Sequence, residues 1–231
     1  MLYIIILAVL AVIECCGAYL YLKLQKNGKS WKSRTAKMTA CTSFLLMAAV
    51  GVYVAGGFDA FSAFLFAGLA LSWVGDLLLH FSGFKFFVSG ASFFLLAHIS
   101  YIISFIKAVP GKSAFSVYEI IGAAALVIAV LLIYILIKAK KPAGALLPIA
   151  VVYGACICLM ASKAWSLAIY TGGAGAYLTL GLGSALFLAS DFSLLLGRSD
   201  KRFKTDSCAL FNGCTYFGAQ TLLALSVFFI C

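Results

Sequence analysis

Long apolar runs separated by short polar stretches fill this chain. They predict eight segments at roughly 2–22, 38–56, 60–80, 86–107, 116–137, 144–162, 174–196 and 209–230. Each is close to the about 20 residues that carry an α-helix across hydrocarbon. The stretches between them are too short to hold a soluble domain. The expected fold is therefore all-α, a polytopic membrane protein with eight transmembrane helices forming one domain over residues 1–231. The first run does not read as a cleaved signal peptide. No basic residues precede it, Glu14 lies inside it, and lysines follow it.

Composition narrows the class. The chain is 65% hydrophobic and 10% charged, whereas soluble domains run about 45–50% apolar and about 25% charged. Disorder is excluded by the same imbalance. The net charge of +10 would suggest a nucleic-acid partner, but its placement gives another meaning. Lys23, Lys26, Lys29, Lys32, Arg34, Lys37, Lys85, Lys138, Lys140, Lys141, Arg198, Lys201, Arg202 and Lys204 fall in loops that alternate to one side. Only Lys107, Lys112 and Lys163 fall on the other. This bias predicts cytoplasmic basic loops, both termini outside, location in the cell membrane and contact with anionic lipid. No nucleic-acid role is expected. The eight cysteines form no paired C-x-x-C pattern, so neither a zinc site nor a disulfide framework is indicated.

A short pattern recurs. Gly68-Leu-Ala-Leu-Ser-Trp-Val-Gly75-Asp76 in segment three matches Gly183-Ser-Ala-Leu-Phe-Leu-Ala-Ser190-Asp191 in segment seven, at an offset of 115 residues. The same offset carries Tyr101 onto Tyr216. This predicts a 4+4 parallel internal repeat, with Asp76 and Asp191 at similar depth, facing each other across the bundle. An acid within a span needs a partner or a function. Asp76 and Asp191 are the leading candidates. Glu14, the third buried-acid candidate, is expected to pair with a cation or to serve packing. Gly68, Ser72, Asp76 and His80 share one helix face, as do Asn212, Tyr216 and Gln220, while Tyr101 follows His98 by one turn. These stripes are expected to line one polar cavity, with His80 at headgroup level. Two carboxyls close together in a dry bundle would hold a single proton, giving one general acid and one general base. No serine elbow, HExxH, Walker or dinucleotide motif is present. Alternatively, these polar side chains could tie helices together or serve a proton-coupled transporter of a small or lipid-like substrate.

The segment-three motif, Phe94-x-x-x-His98-x-x-Tyr101, the segment-seven motif, Arg202-Phe203, and Tyr216 with Ala219-Gln220 together resemble the YhhN family of integral-membrane lysoplasmalogenases. The resemblance runs from about Lys37 to Gln220. One departure is that Met38 follows Lys37 where family members often have proline. The resemblance implies a hydrolase that cleaves the vinyl ether bond of a lysoplasmalogen, releasing a fatty aldehyde and a glycerophosphoethanolamine or glycerophosphocholine. It carries the catalytic pair onto Asp76 and Asp191. Ser72, His98, Tyr101, Ser190, Tyr216 and Gln220 are then the supporting residues. Lys85, Arg198 and Arg202 are placed to meet the phosphate headgroup. The lysophospholipid tail would lie between spans, and this chemistry requires no metal or other cofactor.

Overall fold

In a computed structural model, residues 2–26, 28–109, 111, 114–137 and 146–230 are described. Lys112, Lys138, Lys140, Lys141 and Cys231 lie outside them. The described residues form eight α-helices and one short 3-10 turn: α1 (Leu2–Gln25), α2 (Trp31–Val54), α3 (Ala60–His80), α4 (Phe84–Lys107), α5 (Val117–Leu136), α6 (Leu146–Tyr170), α7 (Gly175–Ser199), the turn Lys201–Phe203 and α8 (Asp206–Ile230). No strand occurs among the described residues. All eight helices are long and apolar enough to cross a membrane. Hydrocarbon cannot satisfy backbone polar groups, so the chain satisfies them within each span. The architecture is multi-pass transmembrane.

Two boundaries differ from the sequence expectation in ways that matter. α2 begins at Trp31 rather than at 38, because Ser30 starts it. The Ser30 hydroxyl accepts from the Ser33 amide at 3.2 Å, and the Ser33 hydroxyl receives the Ser30 amide at 2.9 Å, a reciprocal cap. Lys37 is therefore a helical residue, only 8% exposed, and not a loop cation. α6 runs on to Tyr170 rather than ending at 162, so Lys163 is also helical and buried. Hydropathy loses both helix ends because it scores a lysine as solvent-facing, whether or not a carboxylate neutralises it.

Successive helices pair as hairpins: α1 with α2, α3 with α4, α5 with α6 and α7 with α8. α2 also packs on α3 and α8, and α6 on α7 and α4. The α3–α4 pair is held by small residues and hydroxyls, the usual means of association where lipid is as apolar as the side chains. A Cβ on Gly75 would lie 3.2 Å from the carbonyl oxygen of Gly90, and one on Gly90 equally close to that of Gly75, so the two backbones touch there. Ser100 and Ser104 donate to the Phe64 and Phe61 carbonyls, both at 2.7 Å. α5 differs. It buries only Glu119 and Ala123 and presents Ile120, Ile128, Leu131, Leu132 and Ile135 outward.

Candidate functional site

The face Gly68, Ser72, Asp76, His80 is buried along its whole length. Its polar groups are threaded into a packed hydrogen-bond network. Lys37 of α2 forms an ion pair with Asp76 Oδ1 at 2.7 Å. On the other oxygen, Cys41 Sγ donates at 3.1 Å and the Tyr216 hydroxyl donates in a short contact. Gln220 Nε2 donates to the Tyr216 oxygen at 3.0 Å, and Tyr101 donates to Gln220 Oε1 at 3.1 Å. With the Tyr101 hydrogen so committed, the 3.2 Å contact between Ser72 and Tyr101 has Ser72 as donor. Every donor in this chain points toward Asp76. The Tyr101 ring fits only because residue 68 is glycine: a Cβ there would lie 2.4 Å from it.

Asp191 sits in a second cluster. The Tyr153 hydroxyl of α6 donates to its Oδ2 at 2.5 Å. His98 Nε2 lies 2.9 Å from that hydroxyl and 3.4 Å from Asp191 Oδ2. Since the Tyr153 hydrogen is used on the carboxyl, Nε2 is the donor to Tyr153, and Nδ1 has no hydrogen-bond partner among the described residues. No hydrogen bond joins the two carboxyls among the described residues. The Phe187 ring stands between the clusters, 4.8 Å from the His98 ring and 5.6 Å from that of Tyr216.

The two acids also differ in access. The Asp76 side chain is 2% exposed and that of Asp191 13%. Asp191 and Tyr153 line a cleft of about 220 Å³ between α5, α6 and α7. Its other walls include Val127, Val130 and Leu131 of α5, Ala150, Gly154 and Cys158 of α6, and Leu188, Phe192 and Leu195 of α7. The lining residues Leu131, Leu147 and Val151 are exposed, so the cleft opens on the outer surface of the bundle.

Of the other expected residues, Ser190 joins neither cluster. It receives Asn212 Nδ2 on its hydroxyl at 3.0 Å and on its carbonyl at 2.8 Å, tying α7 to α8. His80, the last residue of α3, is buried, with Nε2 3.1 Å from the Ser30 carbonyl. Among the described residues no cation pairs with Glu14. The Thr221 hydroxyl donates to its Oε1 at 2.9 Å, and Oε2 has no partner.

The cations expected at the headgroup are spread around one end of the bundle. Lys85 is exposed on the first turn of α4. Arg198 lies over the Phe87 ring at 4.4 Å. Arg202 donates to Asp200 Oδ2 through Nε at 3.0 Å and Nη2 at 2.7 Å, and this hydrogen bond raises its pKa. Lys29, between α1 and α2, donates to the Leu79 and Phe81 carbonyls at the end of α3, at 2.7 and 3.0 Å. Burial, then the charges of Arg198 and Lys37, lower the pKa of Lys29.

Sequence reasoning missed Lys37 and Tyr153, the residues that hold the two acids. It also missed the buried pair Glu119–Lys163, at 3.1 Å, where Ser166 adds a hydrogen bond to Glu119 at 2.7 Å. Among the described residues no three of His, Cys, Asp and Glu gather as metal ligands.

No curated protein and no solved structure matches this chain. The YhhN family model matches residues 34–227, which takes in both acid clusters, and the chain belongs to the YhhN family.

Proposed function

We propose that the protein is a hydrolase that cleaves the vinyl ether bond of lysoplasmalogens, with Asp191 as its proton donor. The observation that carries this reading is the position of Asp191 and Tyr153 within a cleft whose other walls are mostly apolar, with Tyr134 of α5 and Cys158 of α6 among them. A lysoplasmalogen has the matching shape: an aliphatic chain joined to a polar glycerophosphate through an acid-labile carbon–carbon double bond.

The chemistry needs an acid, a water and a means of stabilising a cation. Tyr153 occupies Asp191 Oδ2, so the carboxyl proton belongs on Oδ1. In the first step Oδ1–H transfers its proton to the β-carbon. The π electrons form the new C–H bond, an oxygen lone pair makes the oxocarbenium ion, and Asp191 becomes a carboxylate beside that cation. Water then adds at the adjacent carbon, giving up a proton to Asp191. The resulting hemiacetal collapses to aldehyde and the glyceryl hydroxyl. Asp76 acts behind the Phe187 wall, where Lys37, Cys41 and Tyr216 fix its carboxylate. It keeps Tyr216, Gln220 and Tyr101 in register rather than touching the substrate.

The proposal extends to topology. The cation bias supports location in the cell membrane with the basic loops cytoplasmic and both termini outside. A 4+4 repeat is supported by the parallel surroundings of the acids. Asp76 of α3 meets Lys37 of α2 and Tyr216 of α8, and Asp191 of α7 meets Tyr153 of α6 and His98 of α4. Each acid thus takes one neighbour from its own half and one from the last helix of the other half.

The competing reading is a proton-coupled carrier. In its favour stands Glu14, buried within α1 with one carboxyl oxygen unpartnered. The deciding experiment is aldehyde release by purified protein from 1-alkenyl lysophospholipids, with saturated 1-alkyl lysophospholipids as the control. Release from the alkenyl lipid alone, lost in folded Asp191→Asn, is expected. No release from folded wild type across headgroups and pH would sink the hydrolase and make proton flux in reconstituted vesicles the next measurement.

A further inference from the structure

A helix-interior glycine costs about 1 kcal/mol relative to alanine, so each one calls for a reason. Within these spans the reason is usually close packing. A Cβ would fall 2.8 Å from Phe94 at Gly75, 2.9 Å from the Phe228 backbone nitrogen at Gly51, and 2.7 Å from Leu22 at Gly213. Gly154 has no such neighbour. It sits in the interior of α6, and a Cβ there would meet nothing within 4 Å. Helix packing does not account for it. Its φ lies outside the left-handed region, so backbone conformation does not either. What the missing side chain does leave is room in the cleft, directly beside Tyr153 and in the same lining as Asp191. Ala150 and Cys158, one turn to either side, are small as well and line the same cleft.

Resting on the hydrolase reading for the identity of the ligand, we propose that Gly154 is a specificity-determining position, held bare so that an unbranched aliphatic chain can lie against α6 with its first bonds at Asp191. The walls suit such a chain: Val127, Val130 and Leu131 of α5 and Leu188, Phe192 and Leu195 of α7 face it, and the polar side chains in the lining are Tyr134, Tyr153, Cys158 and Asp191. A side chain at 154 would take the ligand's place without touching the protein. Stability and ligand binding should therefore move in opposite directions, which a packing role for Gly154 would not produce.

The test uses Gly154→Ala and Gly154→Leu in the full-length protein, in one detergent at fixed concentration. Three quantities are measured: intrinsic Tm, the Tm rise given by saturated 1-alkyl lysophosphocholine, which cannot be cleaved, and aldehyde release from its 1-alkenyl counterpart. Gly154→Ala is expected to raise the intrinsic Tm by about 2–4 °C. Filling a hydrophobic pocket by one methylene or more changes selectivity by about 10–200-fold, so Gly154→Leu is expected to lose the ligand-induced Tm rise and at least tenfold in aldehyde release. A Leu variant that binds and hydrolyses as wild type does would overturn the proposal and leave the hydrolase standing. So would a fall in intrinsic Tm for the Ala variant. If wild type gains Tm from the alkyl lipid, the Leu variant does not, and neither releases aldehyde, the hydrolase falls and the role of Gly154 survives. If wild type shows neither response, both are overturned.

Discussion

Lys37 offers the sharpest test of how the polar interior is built. Its ammonium lies 2.7 Å from Asp76 Oδ1, and the two side chains are 11% and 2% exposed. At an effective dielectric of about 20, Coulomb attraction at that separation is about 6 kcal/mol. Most of it offsets the desolvation of the two ions, so the pair as a whole adds little net stability. Removing one partner is different, because it leaves the other charge buried among neutral groups. Lys37→Met would leave Asp76 with Cys41 and Tyr216 as its donors among the described residues, at a cost of about 3–5 kcal/mol. In a chain of this size that is a Tm loss of about 6–20 °C. Asp76→Asn should cost a similar amount by stranding Lys37. The double variant Lys37→Met/Asp76→Asn should be more stable than either single one, with a coupling of at least about 2 kcal/mol. Thermal unfolding in detergent, followed by far-UV circular dichroism, gives all four corners of the cycle. Additive losses, or a single variant costing under about 1 kcal/mol, would refute the pairing as the force that places Asp76.

Three further outcomes are expected. Tyr153→Phe removes the hydroxyl that donates to Asp191 Oδ2 and should lower aldehyde release by about ten- to a hundredfold with the Tm nearly unchanged; wild-type rates would end its role as a positioning residue. Lys163→Met removes the 3.1 Å ion pair with Glu119 and should cost about 3–5 kcal/mol; the unfolding midpoints of Lys163→Met, Glu119→Leu and the double variant check this, and strictly additive losses would count against a buried pair. Gly68→Ala drives a methyl into the Tyr101 ring and should cost about 1–3 kcal/mol, a loss that Tyr101→Leu in the same chain relieves; a neutral Gly68→Ala would contradict the contact.

The helices were legible because hydrocarbon leaves the backbone few alternatives, and the hydropathy pattern records that constraint directly. The burial of Gly68, Ser72, Asp76 and His80 was legible for a similar reason, since an i, i+4 row must share a face. Lys37 was not. By composition it belongs with the loop cations, and what brings it indoors is a carboxylate on another helix. Tyr153 was invisible because a tyrosine in a span carries no signal of its own; its hydroxyl matters only through the azimuth of α6 against α7. Azimuth also decided the relation between the two acids. The repeated sequence motif speaks to position along the helix but not to the direction each side chain takes, and Phe187 occupies the space between the clusters.

The mouth of the cleft beside Asp191 is framed by Leu131, Leu147 and Val151, side chains that face outward from the bundle. In the proposed hydrolase, a ligand that enters there would be drawn from the plane of the bilayer rather than from the aqueous phase. The concentration such a site experiences is a mole fraction among lipids, a two-dimensional quantity. Diluting an amphiphile with inert lipid or detergent, at constant amount per litre, should slow its capture in proportion. Diluting the whole suspension with buffer should leave capture per protein unchanged.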